Sequence, residues 1–218
     1  MQPIFYFIEY IMLVELSLKD FLSKTASNEP VPGGGSIAAL NAAIAAALAQ
    51  MVANLTIGKK KYEDKEQLMH ELTFLASEFQ NDFITDIDAD SDAYNAVFEA
   101  FKLPKETDNE KNVRHEKIQE ATKIAAEVPL NVARKTLKMM ELIELIAENG
   151  NQNAVTDACV AMMCARTAIL GAALNVRINL SGIKDEEYVS KIAQEVTNLE
   201  KTAIEREELL LKKIKIQL

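Results

Sequence analysis

One carboxylate in this sequence occupies a position where the helical pattern predicts an apolar residue. Phe83, Ile87, Asp90, Tyr94 and Val97 recur at spacings of three and four, so they share one helix face. Burying Asp90 in such a seam costs free energy unless the carboxylate is paired or protonated. An ion pair, or a cap on a neighbouring helix end, would explain the residue structurally. The catalytic interpretation is a carboxyl with a raised pKa that acts as a general acid or base.

A second polar set lies on a stretch of otherwise small residues. Asp157, Asn175 and Asn179 share a helix face with alanines and one cysteine. Asp157 falls in the first turn, where the helix dipole favours its ionised form. Asn151 and Asn153 lie in the turn just before, and Asn153 is most simply an N-cap.

Three adjacent glycines, Gly33, Gly34 and Gly35, precede a long alanine-rich stretch. Without Cβ atoms they allow close approach to the backbone, and Ser36 can cap the helix that follows. We expect this helix N-terminus to present N–H groups to a carboxylate, a phosphate or an oxyanion.

A lysine run, Lys59-Lys60-Lys61, follows the same stretch. Such a run is usually a solvated surface feature that also suits a helix C-terminus. Twenty helical residues span about 30 Å, so the lysines and the glycines lie far apart in one chain. A site that used both would need two subunits or a long ligand.

Long helices are expected to position these side chains. The 218 residues include seven glycines and five prolines, too few for many short strands, and 49% of the residues are hydrophobic. We predict an all-α fold, a single-domain helical bundle with two central Ala-rich helices. The predicted helices run from a Ser17 cap to Lys24, from Ile37 to about Leu55, from Glu63 to Phe101, from a Thr107–Glu110 capping box to Glu148 with an interruption or kink at Pro129, from about Ala154 to Leu174 or beyond, and from an Asp185 cap onward.

Composition narrows the partners and the compartment. The net charge of −9 disfavours nucleic acid as the main partner. Cys159 and Cys164 are too far apart on one helix to pair, which favours a reduced, cytoplasmic setting. His70 and His115 are isolated, so no metal site is expected. Residues 1–11 are apolar but too short to span a membrane and lack the features of a signal peptide, so we interpret them as an N-terminal extension of a domain that covers 12–218.

An ordered set of motifs resembles the cyclodeaminase domain of formiminotransferase-cyclodeaminase, a family that also contains methenyltetrahydrofolate cyclohydrolases. The motifs are Pro32-Gly-Gly-Gly-Ser36, Met51-Val52, Leu55-Thr-Ile-Gly-Lys-Lys-Lys-Tyr62, Asp88-Ala-Asp90 with Ala93-Tyr94, Leu103-Pro-Lys105, Val128-Pro-Leu130, Gly150-Asn-Gln-Asn153 with Asp157, and Asn175-Val-Arg-Ile-Asn179-Leu180. The resemblance covers the chain from about Met12 onward. It implies a helical fold, a dimer or dimer-based assembly, and a folate site at or near a subunit interface.

The resemblance also implies roles for the singled-out residues. Asp90 or Asp157 would move a proton during ring closure of 5-formiminotetrahydrofolate to the 5,10-methenyl form with loss of ammonia, and Asp88 would assist. The pterin and the folate tail would be bound by Gly33, Gly34, Gly35, Ser36, Lys59, Lys60, Tyr94, Asn151, Asn153, Asn175 and Asn179. No cofactor or metal is required, and a separate formiminotransferase is a possible partner.

Two alternatives stay open. Hydrolysis of the methenyl compound to 10-formyltetrahydrofolate involves the same carbon and could use the same carboxylates. A non-catalytic folate-binding protein would keep the packing motifs without turning over either substrate.

Overall fold

The computed structural model describes residues 12–216, so the expected extension 1–11 lies outside the described residues. The described part contains six α-helices and no strand, as the sequence predicts. The helices are α1 (Leu18–Thr25), α2 (Gly34–Asn54), α3 (Glu66–Lys102), α4 (Asp108–Asn149), α5 (Val155–Leu180) and α6 (Glu186–Lys215). Short 3-10 turns cover Leu13–Glu15, Lys60–Lys65 and Gln152–Ala154.

Helices α2 to α5 form a four-helix bundle in which each packs on the next and α5 packs back on α2. Helix α6 lies outside, against α5 and α4. The alanines of α2 let the backbones approach closely: Ala42, Ala45, Ala46 and Ala49 are completely buried. The prediction of two central Ala-rich helices is therefore confirmed.

Several helix ends match the predicted caps. Ser17 accepts a hydrogen bond from the Asp20 backbone N–H, and Asp185 accepts one from the Tyr188 N–H. Thr107 and Glu110 form the reciprocal capping box. Each side chain satisfies N–H groups that the first helical turn leaves unpaired.

One predicted cap and one predicted interruption are wrong. Helix α2 begins at Gly34 with Gly33 as its N-cap, so Ser36 lies inside the first turn and does not cap it. Helix α4 runs through Pro129, so the predicted interruption is wrong, whereas the alternative of a kink stays a prediction.

Helices α2 and α5 also carry apolar side chains outward. The segments Gly34–Asn54 and Gln152–Leu180 are long and apolar enough to cross a membrane, but core helices meet the same criteria, and 56% and 44% of the two windows are buried. We call their outward apolar residues the α2–α5 face. The α2–α5 face comprises Ile44, Met51, Leu55, Val160, Met163 and Leu174, all of which are exposed.

Candidate active site

A cleft of about 320 Å³ opens where the N-terminus of α2 meets α3, α4 and the C-terminal part of α5. It brings together six of the residues singled out from the sequence. They are Gly33, Gly34, Asp90, Tyr94, Asn175 and Asn179. Pro30, Val31, Val97, Ala125 and Ile178 complete the lining.

Asp90 reaches from α3 to the first turn of α2. The Ser36 hydroxyl lies 3.1 Å from Asp90 Oδ2 and 3.2 Å from the hydroxyl of Ser91. Gly33 has no side chain to cap α2, and Asp90 supplies the negative charge that the helix N-terminus favours. The capping explanation of the seam carboxylate is therefore correct, and Asp90 also lines the cleft.

The absence of a side chain at Gly35 lets the Asp90 carboxylate approach the first turn of α2. A Cβ at residue 35 would lie 2.0 Å from Asp90 Oδ1, far inside van der Waals contact. The predicted anion site at this helix end is thus taken by a carboxylate of the chain itself. Gly34 is also restricted, because a Cβ there would lie 3.1 Å from Asn175 Nδ2.

Burial raises the pKa of Asp90 above the ordinary value of 3.8, and hydrogen bonds from the Ser36 hydroxyl and backbone N–H counteract only part of that increase. Desolvation disfavours the charged form, whereas donors stabilise it. The cleft therefore contains a carboxyl that holds its proton more tightly than a carboxyl in water does.

The two asparagines have fixed orientations. Asn179 Nδ2 donates to the carbonyls of Ala125 and Asn175, each at 2.9 Å, and Asn175 Nδ2 donates to the carbonyl of Gly171 at 2.9 Å. Carbonyl oxygens only accept, so each amide nitrogen must face the backbone. Both hydrogens of Asn179 Nδ2 are used in this way, which leaves its Oδ1 as an acceptor, whereas Asn175 Nδ2 keeps one hydrogen beyond its bond to Gly171.

The position of Asp88 gives no support to its predicted role of assisting catalysis. It is 5% exposed, and its carboxylate accepts hydrogen bonds from the backbone N–H of Leu13 at 2.6 Å and of Val14 at 3.3 Å. These bonds attach the N-terminal turn to α3. Asp88 is a structural anchor outside the cleft lining.

The remaining predicted residues lie at the opposite end of α2 and α5, which we call the lysine end. Asn151 Nδ2 donates to the Leu55 carbonyl at 3.0 Å, and Asn151 Oδ1 accepts from the Asn153 N–H at 3.1 Å. Asn151 therefore caps the 3-10 turn, whereas Asn153 is not the N-cap of α5, contrary to the sequence interpretation. These contacts are structural.

Lys59 and Lys60 are exposed at the lysine end, and Asp157 is half-buried in the first turn of α5. The eighteen residues from Asp157 to Asn175 span about 27 Å of helix. Asp157 and Asp90 therefore cannot serve one small substrate within a single chain. A separate cavity of about 440 Å³ lies at the lysine end, lined by residues that include Lys61, Tyr62 and Lys213.

Comparison with known proteins decides the family. Residues 17–198 match the sequence model of the family described as Formiminotransferase-cyclodeaminase. The chain belongs to this family. A methenyltetrahydrofolate cyclohydrolase from Methylorubrum extorquens is 40% identical over 183 residues, which are 84% of this chain and 88% of the relative.

Two further relatives carry the other activity in their names. The formimidoyltransferase-cyclodeaminase of Gallus gallus is 33% identical over 91% of this chain, but the match spans only 37% of that longer protein. The crystal structure of formiminotetrahydrofolate cyclodeaminase from Thermotoga maritima superposes with a TM-score of 0.78 and 32% identity, covering 92% of this chain and 98% of that one. This family member is thus a one-carbon folate enzyme with the cyclodeaminase fold, and its relatives give no support to the non-catalytic alternative.

Sequence reasoning missed several residues of the cleft. Val31, Ala125 and Ile178 are apolar and carry no chemical signal of their own. Ala125 could have been found from Pro129, because a proline inside a helix leaves unbonded the carbonyl four residues before it.

Proposed function

We propose that this enzyme converts 5-formiminotetrahydrofolate into 5,10-methenyltetrahydrofolate with release of ammonia. The observation that carries the proposal is Asp90, a carboxyl with a raised pKa that lines the same cleft as the hydrogen-bonded carboxamides of Asn175 and Asn179. A carboxyl with a raised pKa is a stronger base when it is ionised, so it is suited to accepting a proton and returning it within one reaction.

Ring closure requires one proton to leave N10 and one to reach the departing nitrogen. N10 attacks the formimino carbon, a tetrahedral centre forms, and the bond from that carbon to the exocyclic nitrogen breaks. The formimino group reacts as its protonated amidinium; ionised Asp90 accepts the N10 proton and passes that proton to the NH₂ group that leaves as ammonia. The Oδ1 atoms of Asn175 and Asn179 accept hydrogen bonds from pterin N–H groups and hold the ring in place.

Hydrolysis of 5,10-methenyltetrahydrofolate to the 10-formyl compound is the second candidate. The 40% identity to a cyclohydrolase over 88% of its length favours this reaction. Water would attack the same carbon, with ionised Asp90 as the base. No cofactor is needed for either reaction, and a separate formiminotransferase would be a partner for the first reaction only.

A homodimer would join the two polar ends of the molecule. The cleft and the lysine end lie about 27 Å apart in one chain, whereas two copies packed antiparallel through the α2–α5 face would place the lysine end of one beside the cleft of the other. Lys59 and Lys60 of the second copy would then bind the carboxylates of the folate tail. Asp157 of the second copy would lie near the reacting atoms in the cleft. Contact between two copies would also cover the apolar α2–α5 face, which suits a cytoplasmic protein without a membrane or nucleic-acid partner.

Spectrophotometry of the purified protein tests the reaction. Each substrate is offered in turn, and methenyl formation or loss is compared with the spontaneous rate. Faster methenyl formation with loss of ammonia supports the first reaction, and faster methenyl loss supports the second. Neither rate above background would contradict both.

A further inference from the structure

Pro129 lies inside α4, where a proline is unfavourable because it has no backbone N–H to donate to the carbonyl four residues earlier. That carbonyl belongs to Ala125, which lines the cleft. A buried carbonyl without a donor would cost free energy. The unfavourable residue thus frees an acceptor at the turn of α4 that faces the cleft.

Asn179 of α5 uses this free acceptor. Its Nδ2 donates to the Ala125 carbonyl at 2.9 Å and, with the second hydrogen, to the Asn175 carbonyl at 2.9 Å. Both hydrogens of the carboxamide are therefore committed. Asn179 Oδ1 accepts no hydrogen bond from the described residues and remains available to a ligand in the cleft.

We infer that Pro129 is a positioning residue for ligand recognition. Pro129 has no N–H to donate to the Ala125 carbonyl, so this carbonyl accepts from Asn179 instead. The bond holds the Asn179 carboxamide between α5 and α4, with its oxygen in the cleft. An N–H at residue 129 would let α4 bond this carbonyl internally and release the Asn179 carboxamide. The inference rests on the proposed function only in naming the ligand group, a pterin N–H or amino group.

A double-mutant cycle tests the inference. Pro129→Ala, Asn179→Ala and the double variant are compared with the original protein for tetrahydrofolate affinity by titration calorimetry and for KM and kcat. We expect each single change to weaken binding about three- to tenfold, the size of one lost hydrogen bond. The double variant should be no weaker than Asn179→Ala, because Pro129 acts through Asn179. The loss should fall on KM rather than on kcat.

The thermal stability of Pro129→Ala shows whether weaker binding comes from the loss of positioning or from damage to the fold. Removing a proline from a helix should leave the Tm of Pro129→Ala unchanged or higher. Pro104→Ala, in the loop between α3 and α4, is the matched control and should bind tetrahydrofolate normally. Additive effects in the cycle, or unchanged affinity in Pro129→Ala, would overturn the inference.

The positioning role of Pro129 can also be tested in the protein without any ligand, independently of the proposed function. The side-chain NH₂ of Asn179 should exchange slowly in the original protein and faster in Pro129→Ala, measured by nuclear magnetic resonance. Equal exchange in the two proteins would overturn the positioning role. Failure of the original protein to bind or convert any folate would instead contradict the proposed function.

Discussion

Asp90 combines two roles that are usually carried by different side chains. It caps α2 through Ser36, and it provides the only carboxyl of the described cleft lining. Burial raises its pKa although the helix N-terminus and the Ser36 hydroxyl favour ionisation. Desolvation is therefore the larger effect at this site.

Asp90→Asn should lower kcat by about 100-fold or more, because the carboxamide cannot transfer a proton. The measurement is turnover of each folate substrate under saturating conditions. Asp86→Asn is the matched control, because Asp86 is also an α3 carboxyl with a pKa raised by burial but lies beside Lys135 and does not line the cleft. Full turnover by Asp90→Asn would remove Asp90 from the mechanism.

The raised pKa of Asp90 also predicts how stability depends on pH. Between its unfolded value, near 3.8, and its higher folded value, the folded protein binds more protons than the unfolded chain does. The stabilisation linked to Asp90 is therefore complete below the unfolded pKa and is lost as pH rises through the folded pKa. In urea unfolding from pH 4 to pH 7, the stability of the original protein should fall relative to Asp90→Asn. A constant difference between the two proteins would contradict the linkage.

At the scale of helices, the contact between α2 and α3 depends on the absence of one Cβ. Gly35→Ala would place a methyl group 2.0 Å from Asp90 Oδ1, so the first turn of α2 or the carboxylate must move. We expect a loss of about 1–3 kcal/mol of stability and a greater loss of turnover. Chemical denaturation and the folate assay measure the two effects.

Gly182→Ala is the control for this substitution. A Cβ at residue 182 would meet its nearest neighbour at 3.4 Å, an ordinary contact, and this residue lies outside the cleft lining. Its turnover should match that of the original protein. Equal behaviour of the two variants would show that the close approach at Gly35 is unimportant.

Helix periodicity and caps predicted most of the fold. Ser17, Thr107 and Asp185 mark helix starts because each supplies an oxygen to unpaired N–H groups, a local interaction that the sequence makes visible. The prediction that Ser36 caps α2 is wrong because the residue that stabilises this helix end, Asp90, is 54 residues away. A tertiary cap leaves no local pattern.

The candidate site could be predicted only in part for a related reason. Asp90, Asn175 and Asn179 are visible as polar residues on apolar or small-residue faces, and the structure brings them together. Asp88 was assigned its assisting role only through the family resemblance, and in the structure it accepts hydrogen bonds from the Leu13 and Val14 N–H groups. Residue type and spacing reveal a buried polar group, whereas its partner depends on packing.

At the scale of the whole molecule, the dimer proposal predicts that two inactive variants can restore each other. Asp90→Asn inactivates the cleft, and Asp157→Asn tests the lysine end. In mixed dimers one composite site would combine an intact cleft with an intact lysine end, so re-equilibrated mixtures should recover up to about a quarter of full activity by random pairing. The folate assay before and after mixing measures this recovery.

The α2–α5 face supplies the control for complementation. Ile44→Glu places a charge on this exposed apolar face and should disrupt pairing, which analytical ultracentrifugation would detect as a smaller species. When both inactive variants also carry Ile44→Glu, mixing should restore nothing. Recovery despite monomer formation, or a dimer that shows no recovery, would argue against a shared site.

The α2 cap has a consequence for how this enzyme can change over evolutionary time. A substitution near Asp90 can make its carboxyl a stronger or weaker acid. The same substitution also changes the charge that stabilises the first turn of α2. Selection for a different optimum pH therefore acts on the rigidity of the scaffold at the same time. Changing the pH optimum at this position is therefore coupled to the packing of α2 on α3.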